Sequence, residues 1–313
     1  MLALLKPAAE TPATAPRESA EPLRLVEPAK APGAQARTPV RGTGAQPARF
    51  RVGRDTLVSA ALWTVSLSAL LAFWYFATLY RWDFYIRFTN VPTPGEVFAK
   101  VLEVNQSPKF LTNIGISVRR ILAGFGVAIV VGVPLGLAIG RYRPVRDLLF
   151  PIVEVLRPIP AIAWVPMSIM LWPTNEVSIV FITFLGSFFP ILLNTIHGVA
   201  SLDKVLVRAG QCLGAGEGQL FWHVILPGAL PQIFTGLAVG MGVAWVSLIA
   251  AEMISGQFGV GYFTWEAYSL VNYAEIALGM ITIGVLGLAC SGIIRLVGRL
   301  SMPWLRFSAE GKA

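Results

Sequence analysis

Stretches nearly free of charge recur along the chain at 58–80, 121–140, 148–172, 177–200, 228–251 and 276–294, with charged and polar residues gathered between them. A helix rises about 1.5 Å per residue, so some 20 apolar residues cross a hydrocarbon core of about 30 Å. Helices satisfy their own backbone groups, which is what lipid demands of a spanning segment. The pattern therefore predicts an all-α, polytopic membrane protein with six transmembrane helices. The third run is broken by Pro158, Pro160 and Pro166, the second run holds Gly132, Gly136 and Gly140, and the fifth holds Gly236 and Gly240. Small residues allow close helix approach and prolines loosen helices, which suits either a bundle that moves or ordinary membrane packing.

Composition agrees: of 313 residues, 55% are hydrophobic, only 13% are charged, and the mean hydropathy is +0.65. A water-soluble enzyme needs about 25% charged residues to cover its surface. The first fifty residues differ from the rest, with twelve Ala, eight Pro and scattered charges. Such a composition does not bury enough apolar surface to offset its conformational entropy, so 1–50 is expected to be a disordered tail. It does not read as a secretory signal, because the apolar stretch after Met1 ends at Lys6-Pro7.

The net charge of +8 is distributed, not striped. Residues 1–50 hold seven Lys/Arg against four Asp/Glu, and 51–313 hold eighteen against thirteen, bunched between apolar runs. Nucleic-acid binding is therefore not expected, since no basic stripe with interleaved aromatics exists. Bunched bases orient membrane proteins with the basic loops in the cytoplasm. Arg141, Arg143 and Arg146, then Lys204 and Arg208, then Arg295, Arg299, Arg306 and Lys312 fall on one side, while 173–176 and 252–275 carry no Lys or Arg. Both termini are thereby expected in the cytoplasm. The segment 81–120 opposes this with Arg81, Arg87, Lys100, Lys109, Arg119 and Arg120. It is long, begins Pro-Thr-Pro-Gly at 92–95, and holds an amphipathic stretch at 96–111 suited to a membrane surface.

The loop 201–227 is far longer than a connection requires. Leu202, Val205, Leu206 and Ala209 share a helical face, Gly214 can end that helix in a left-handed cap, and Pro227 is expected to stop a second short helix. This loop resembles the EAA motif of ABC importer permeases, Glu-Ala-Ala-x3-Gly-x9-Ile-x-Leu-Pro. Arg208, Ala209 and Gly210 stand at the Glu-Ala-Ala positions, Gly214 is the motif glycine, and Val224, Leu226 and Pro227 match its end at the same spacing. Arg208 departs from the motif by reversing a charge, and Gly210 by adding chain freedom.

Further segments are similar to the nitrate/sulfonate/bicarbonate and taurine group of these permeases: Ser117-Val118-Arg119-Arg120-Ile121-Leu122-Ala123-Gly124-Phe125, Leu156-Arg157-Pro158-Ile159-Pro160, and 188–198. Ala250-Ala251-Glu252-Met253-Ile254-Ser255-Gly256 with Gly259-Val260-Gly261-Tyr262-Phe263 looks closest to the nitrate and bicarbonate branch. The resemblance implies the type I ABC importer permease fold, a five-helix core plus one N-terminal helix. Its organisation would be a tail at 1–50, a first helix and outer loop at 51–114, a permease core at 115–306 and a short tail at 307–313. It also implies that 201–227 docks on a separate ATPase subunit, that an extracytoplasmic solute-binding protein delivers a small anion, and that two permease copies pair in the membrane lipid.

The chain contains no G-x-x-x-x-G-K-[ST] sequence, so ATP hydrolysis is expected on a partner, and no cofactor is expected here. Cys212 and Cys290 lack metal-ligand spacing and read as small apolar fillers. Arg119 and Arg120 are candidates for a weak anion site or for anchoring to headgroups. Glu252, at the end of the fifth span, is a candidate gate or a paired charge. A carrier driven by an ion gradient is the alternative, though the spans show neither an inverted repeat nor buried ionisable relays.

Overall fold

A computed structural model describes residues 54–80, 90–105 and 107–303. The tail at 1–50, Arg81 and Arg87, and the C-terminal 307–313 with Arg306 and Lys312 lie outside the described residues. The described residues from Leu57 onward fall into one unit. Every element among the described residues is helical: α1 (Arg54–Leu79), α2 (Pro94–Asn105), α3 (Pro108–Arg141), α4 (Arg143–Leu156), a 3-10 turn (Ala161–Trp164), α5 (Val165–Leu171), α6 (Asn175–Ala200), α7 (Lys204–Cys212), α8 (Glu217–Leu220), a π turn (Phe221–Ile225), α9 (Leu226–Ser255), α10 (Val260–Ser269) and α11 (Tyr273–Ser301).

Among the described residues, five helical stretches are long and apolar enough to cross a membrane, and six if α4 and the Ala161–Leu171 segment count as one span bent by 85°. The bend falls where the sequence places Arg157-Pro158-Ile159-Pro160, since each proline removes an N–H and disfavours α geometry in the residue before it. Two boundaries differ from the sequence expectation. The amphipathic stretch at 96–111 is not one helix: α2 ends at Asn105 and Leu111 already belongs to α3. Pro227 does not stop a helix; Leu226 N–H reaches back five residues to the Phe221 carbonyl, and this widened turn passes the chain into α9. A π turn shifts the hydrogen-bond register, so the missing Pro227 N–H leaves no gap in a regular ladder.

The core is the triple α3–α6–α9. It is built on close approach: a Cβ at Gly124 would lie 2.8 Å from the Thr183 Cβ and the Val180 carbonyl oxygen, and one at Gly136 would lie 2.7 Å from the Thr195 Cβ and 2.9 Å from the Leu192 carbonyl oxygen. On the other side of α6, a Cβ at Gly236 would meet the Asn194 Cβ at 2.7 Å. The hydroxyls caught in these seams donate within their own helix, Thr183 to Ile179 O and Thr195 to Ile191 O, each at 2.7 Å. Ile121, Ile179, Leu248 and Ala251 fill the centre at 0% exposure, and Ile139, Val153, Leu192 and Ile196 form a second cluster that fastens α4 to α6. Backbones this close interdigitate as a rigid body, because packed interiors resist even a methylene change.

Candidate functional site

Two constructions stand at opposite ends of this triple. At the end where α6 begins and α9 finishes, α3 presents Asn113, Ser117 and Arg120, whose i, i+4, i+7 spacing puts them on one face. All three are buried, at 1%, 0% and 2% exposure. A polar stripe at such a depth is costly unless every group is paired. Glu252, in the last turn of α9 and fully buried, completes it. Its carboxylate accepts from Arg120 Nη1 at 2.9 Å, from the Ser117 hydroxyl at 2.8 Å and from the Gly261 N–H at 2.9 Å.

Arg120 spends its remaining donors on other elements. Its Nε donates to Glu176 at 3.0 Å, its Nη2 also donates to Glu176, and Nη1 reaches the Phe258 carbonyl at 2.6 Å. The fork toward Glu176 is the bidentate geometry that suits guanidinium and carboxylate. Asn113 Oδ1 accepts from the Gly259 N–H at 3.0 Å, and Ser117 Oγ from the Val260 N–H at 2.9 Å. Gly259 has φ 114°, and a Cβ there would run into the Glu252 carboxylate, so glycine is needed both for the dihedral and for the approach. The turn 256–259 and the start of α10 are thus tied to α3, α6 and α9 through one carboxylate and one guanidinium.

The sequence reading singled out Arg120 and Glu252, and the structure brings them together. It does not bring Arg119 into the network: that side chain is 75% exposed and stands 3.8 Å from Glu176. Asn113, Ser117 and Glu176 were missed. The first two carried a legible signal, a polar i, i+4, i+7 row leading into Arg120; Glu176 carried none, being one acidic residue in a short loop.

The loop at the other end forms the second construction. Asp203 caps α7 by accepting from the Val205 N–H at 2.8 Å. The helix closes at Gly214, φ 82°, with Ala215 N–H bonded to Gly210 O and Gly214 N–H to Gln211 O, both at 3.0 Å. Those two bonds are a Schellman motif, which needs the left-handed residue that Gly214 supplies. Of the predicted docking residues, Leu202 precedes α7 and turns inward with Leu226 onto the core, while a Cβ at Gly210 would lie 2.6 Å from Leu220 Cδ2. Val205 and Leu206 remain 64% and 56% exposed, beside exposed Arg208 and Ala209, and Leu213 reaches 88%. The short, doubly capped helix thus leaves apolar side chains open to its surroundings. Arg141, the last residue of α3, donates to Glu217 of α8 at 2.6 Å, so α3 touches both constructions. Cys212 is exposed and Cys290 half-buried, both as free thiols; among the described residues no cluster of His, Cys, Asp and Glu could hold a metal ion.

Comparison with known proteins places this geometry. Residues 128–307 match the family described as binding-protein-dependent transport system inner membrane component. The nitrate import permease protein NrtB of Synechocystis sp. is 34% identical over 224 residues, covering 69% of this chain and 82% of that one. The taurine transport system permease protein TauC of Escherichia coli is 33% identical over 219 residues, covering 68% and 80%. A solved inward-facing structure of the MetNI methionine ABC transporter shares the fold at a TM-score of 0.50 and 17% identity, covering 62% of this chain and 98% of that one.

Proposed function

Because the chain belongs to the family of inner membrane components of binding-protein-dependent transport systems, we propose that it is the translocating subunit for a small oxyanion, with nitrate as the first solute. Membership already makes it a multi-pass, non-catalytic permease subunit of an ABC importer, with ATP hydrolysis on a partner ATPase and a substrate-binding protein as the second partner. The observation that carries the functional reading is the exposed Val205–Leu206–Leu213 surface of α7, fixed by the Gly214 cap and linked through Glu217 to α3. A loop that only connects two spans has no use for either feature.

In this reading the α7–α8 end faces the cytoplasm together with both termini, and the Arg120–Glu252 network lies at the outer end. Of the basic residues of 81–120 that counted against that orientation, three are offset by acidic partners, which weakens the objection. Lys100 pairs with Glu103 and Glu275, Lys109 with Glu266, and Arg120 with Glu176 and Glu252. The outer network acts as a fastening inside one copy, holding α10 to the triple, while Arg119, 75% exposed and only loosely paired with Glu176 at 3.8 Å, is the cation an approaching anion meets first. Two copies pair through the side of α9 that bears Val239, Val243 and Val246, which are 39–62% exposed at helical spacing. The names of the relatives support nitrate and taurine alike, and the branch resemblance around Glu252 favours nitrate or bicarbonate.

The experiment is ATP-driven uptake by the purified complex in liposomes, with labelled nitrate competed by bicarbonate, taurine and an alkanesulfonate. Nitrate uptake that only nitrate or bicarbonate suppresses supports the assignment. Suppression by taurine alone moves the solute to the sulfonate side of the group.

A further inference from the structure

The bent third span holds an arginine that neither construction uses. Arg157 stands at the break between α4 and the 3-10 turn, where the axis turns by 85°. Its level in the bundle follows from its neighbours. Before the break, Val153 packs on Leu192 and Ile196 near the far end of α6. Beyond it, Ser168 and Ser178 exchange hydrogen bonds near the start of α6, at 3.3 and 2.8 Å. Arg157 therefore lies between those two levels, on the same cleft as Leu193, Asn194 and His197 of α6.

Arg157 is not packed into the core. Its side chain is 56% exposed, has one partner, Glu154 on the same helix at 3.6 Å, and opens onto a cleft of about 540 Å³ between the break, α6 and α9. Asn194 and His197 line the same cleft, beside Gly186, Pro160 and Val243. An arginine at the centre of a spanning helix costs about 2.5–3.5 kcal/mol against lipid, so such residues face water or protein. Four polar side chains, Arg157, Asn194, His197 and Ser247, on one hollow in an otherwise apolar wall are the make-up of a solute pocket. Val243 and Val246 line it as well, so the cleft borders the α9 face through which the copies are proposed to pair.

Resting on the proposed function, we infer that this cleft is where the solute meets the membrane subunit, and that Arg157 is the group that selects an oxyanion there. A planar guanidinium offers two parallel donors to a planar or tetrahedral oxyanion, Asn194 and His197 offer further donors, and Glu154 beside Arg157 keeps the attraction weak enough for release. The anion is thereby recognised at the bend, not at the outer network.

The test uses the full chain with its ATPase in liposomes, with Cys212→Ser and Cys290→Ser, and places a thiol at the break by Ile159→Cys. Anionic and cationic methanethiosulfonate reagents then probe the cleft without any need for transport. The anionic reagent should react faster, and Arg157→Gln should reduce its advantage roughly tenfold, the scale on which a charged cleft concentrates counter-ions. A thiol that does not react, or that reacts without regard to the charge at 157, overturns the inference. In uptake, Arg157→Gln should lose roughly tenfold or more of the nitrate rate, as expected for one charged hydrogen bond, with yield and ATPase association unchanged and with partial recovery in Arg157→Lys. Normal nitrate uptake by Arg157→Gln also overturns it. Charge-selective labelling in a wild-type complex that imports taurine but no nitrate would uphold the cleft and refute the choice of nitrate.

Discussion

Replacing Arg120 by alanine perturbs the molecule where its polar groups are most deeply buried. The substitution leaves Glu252, at 0% exposure, with Ser117 and Gly261 as donors but no cation, and it removes both donors that Arg120 gives Glu176. Breaking a buried ion pair by deleting one partner costs about 3–5 kcal/mol, because the other charge stays buried. For a unit of this size each kcal/mol corresponds to roughly 2–4 °C of melting temperature, so Arg120→Ala should lower it by roughly 6–20 °C. Arg119→Ala is the matched control: at 75% exposure and 3.8 Å from Glu176 its pair is worth about 1 kcal/mol or less. Adding Glu252→Leu to Arg120→Ala should cost less than Glu252→Leu alone, since the two residues act as a unit. The assay is thermal unfolding of the purified chain in nanodiscs. Equal shifts for Arg119→Ala and Arg120→Ala, or additive effects of Arg120 and Glu252, would refute the fastening.

Three further outcomes follow from particular contacts. Gly136→Ala drives a methyl to 2.7 Å from the Thr195 Cβ and 2.9 Å from a backbone oxygen, and should destabilise by about 1–3 kcal/mol, whereas Gly126→Ala, with nothing within 4 Å, should not. Val271 closes α10 at φ 56°, a left-handed position that disfavours a β-branched residue, so Val271→Gly should raise the melting temperature, the relief being about 1 kcal/mol. The hydrogen bond to Glu103, with a second to Glu275, raises the Lys100 ammonium above its ordinary value of 10.5. A raised folded-state value means the contribution is complete below the unfolded pKa and is lost as pH climbs through the folded one. The difference in melting temperature between wild type and Lys100→Met should accordingly be constant at neutral pH and shrink above about pH 10.5; a gap that widens there contradicts the assignment.

The spans were legible because lipid imposes one simple demand, an apolar run of sufficient length, and α1, α6 and α9 follow the runs within a few residues, while α11 continues past its run to Ser301. The start of α3 was not legible. Arg119 and Arg120 interrupt the apolar run, so the pattern begins the span at Ile121, whereas the helix begins at Pro108. The partners that make Arg120 acceptable lie 56 and 132 residues away, beyond any local window. Gly214 was readable as a cap because only its dihedral was in question. The fate of Pro227 was not, since a π turn depends on how Leu220 and Ile225 seat in the core, both at 1% exposure. Leu202 and Val205 looked equivalent on a helical wheel, yet α7 starts at Lys204, which sends one inward and leaves the other exposed. Arg157 looked like one more base beside a proline until the bend gave it a level.

The central claim, that α7 passes ATPase action to a transport bundle, is tested most directly by Val205→Asp with Leu206→Asp in the reconstituted complex, reading ATPase association and ATP-driven anion uptake together. These side chains are exposed, so the fold and melting temperature should hold while association and uptake are lost together. Uptake at the wild-type rate in that variant, with the ATPase still bound, would contradict the account.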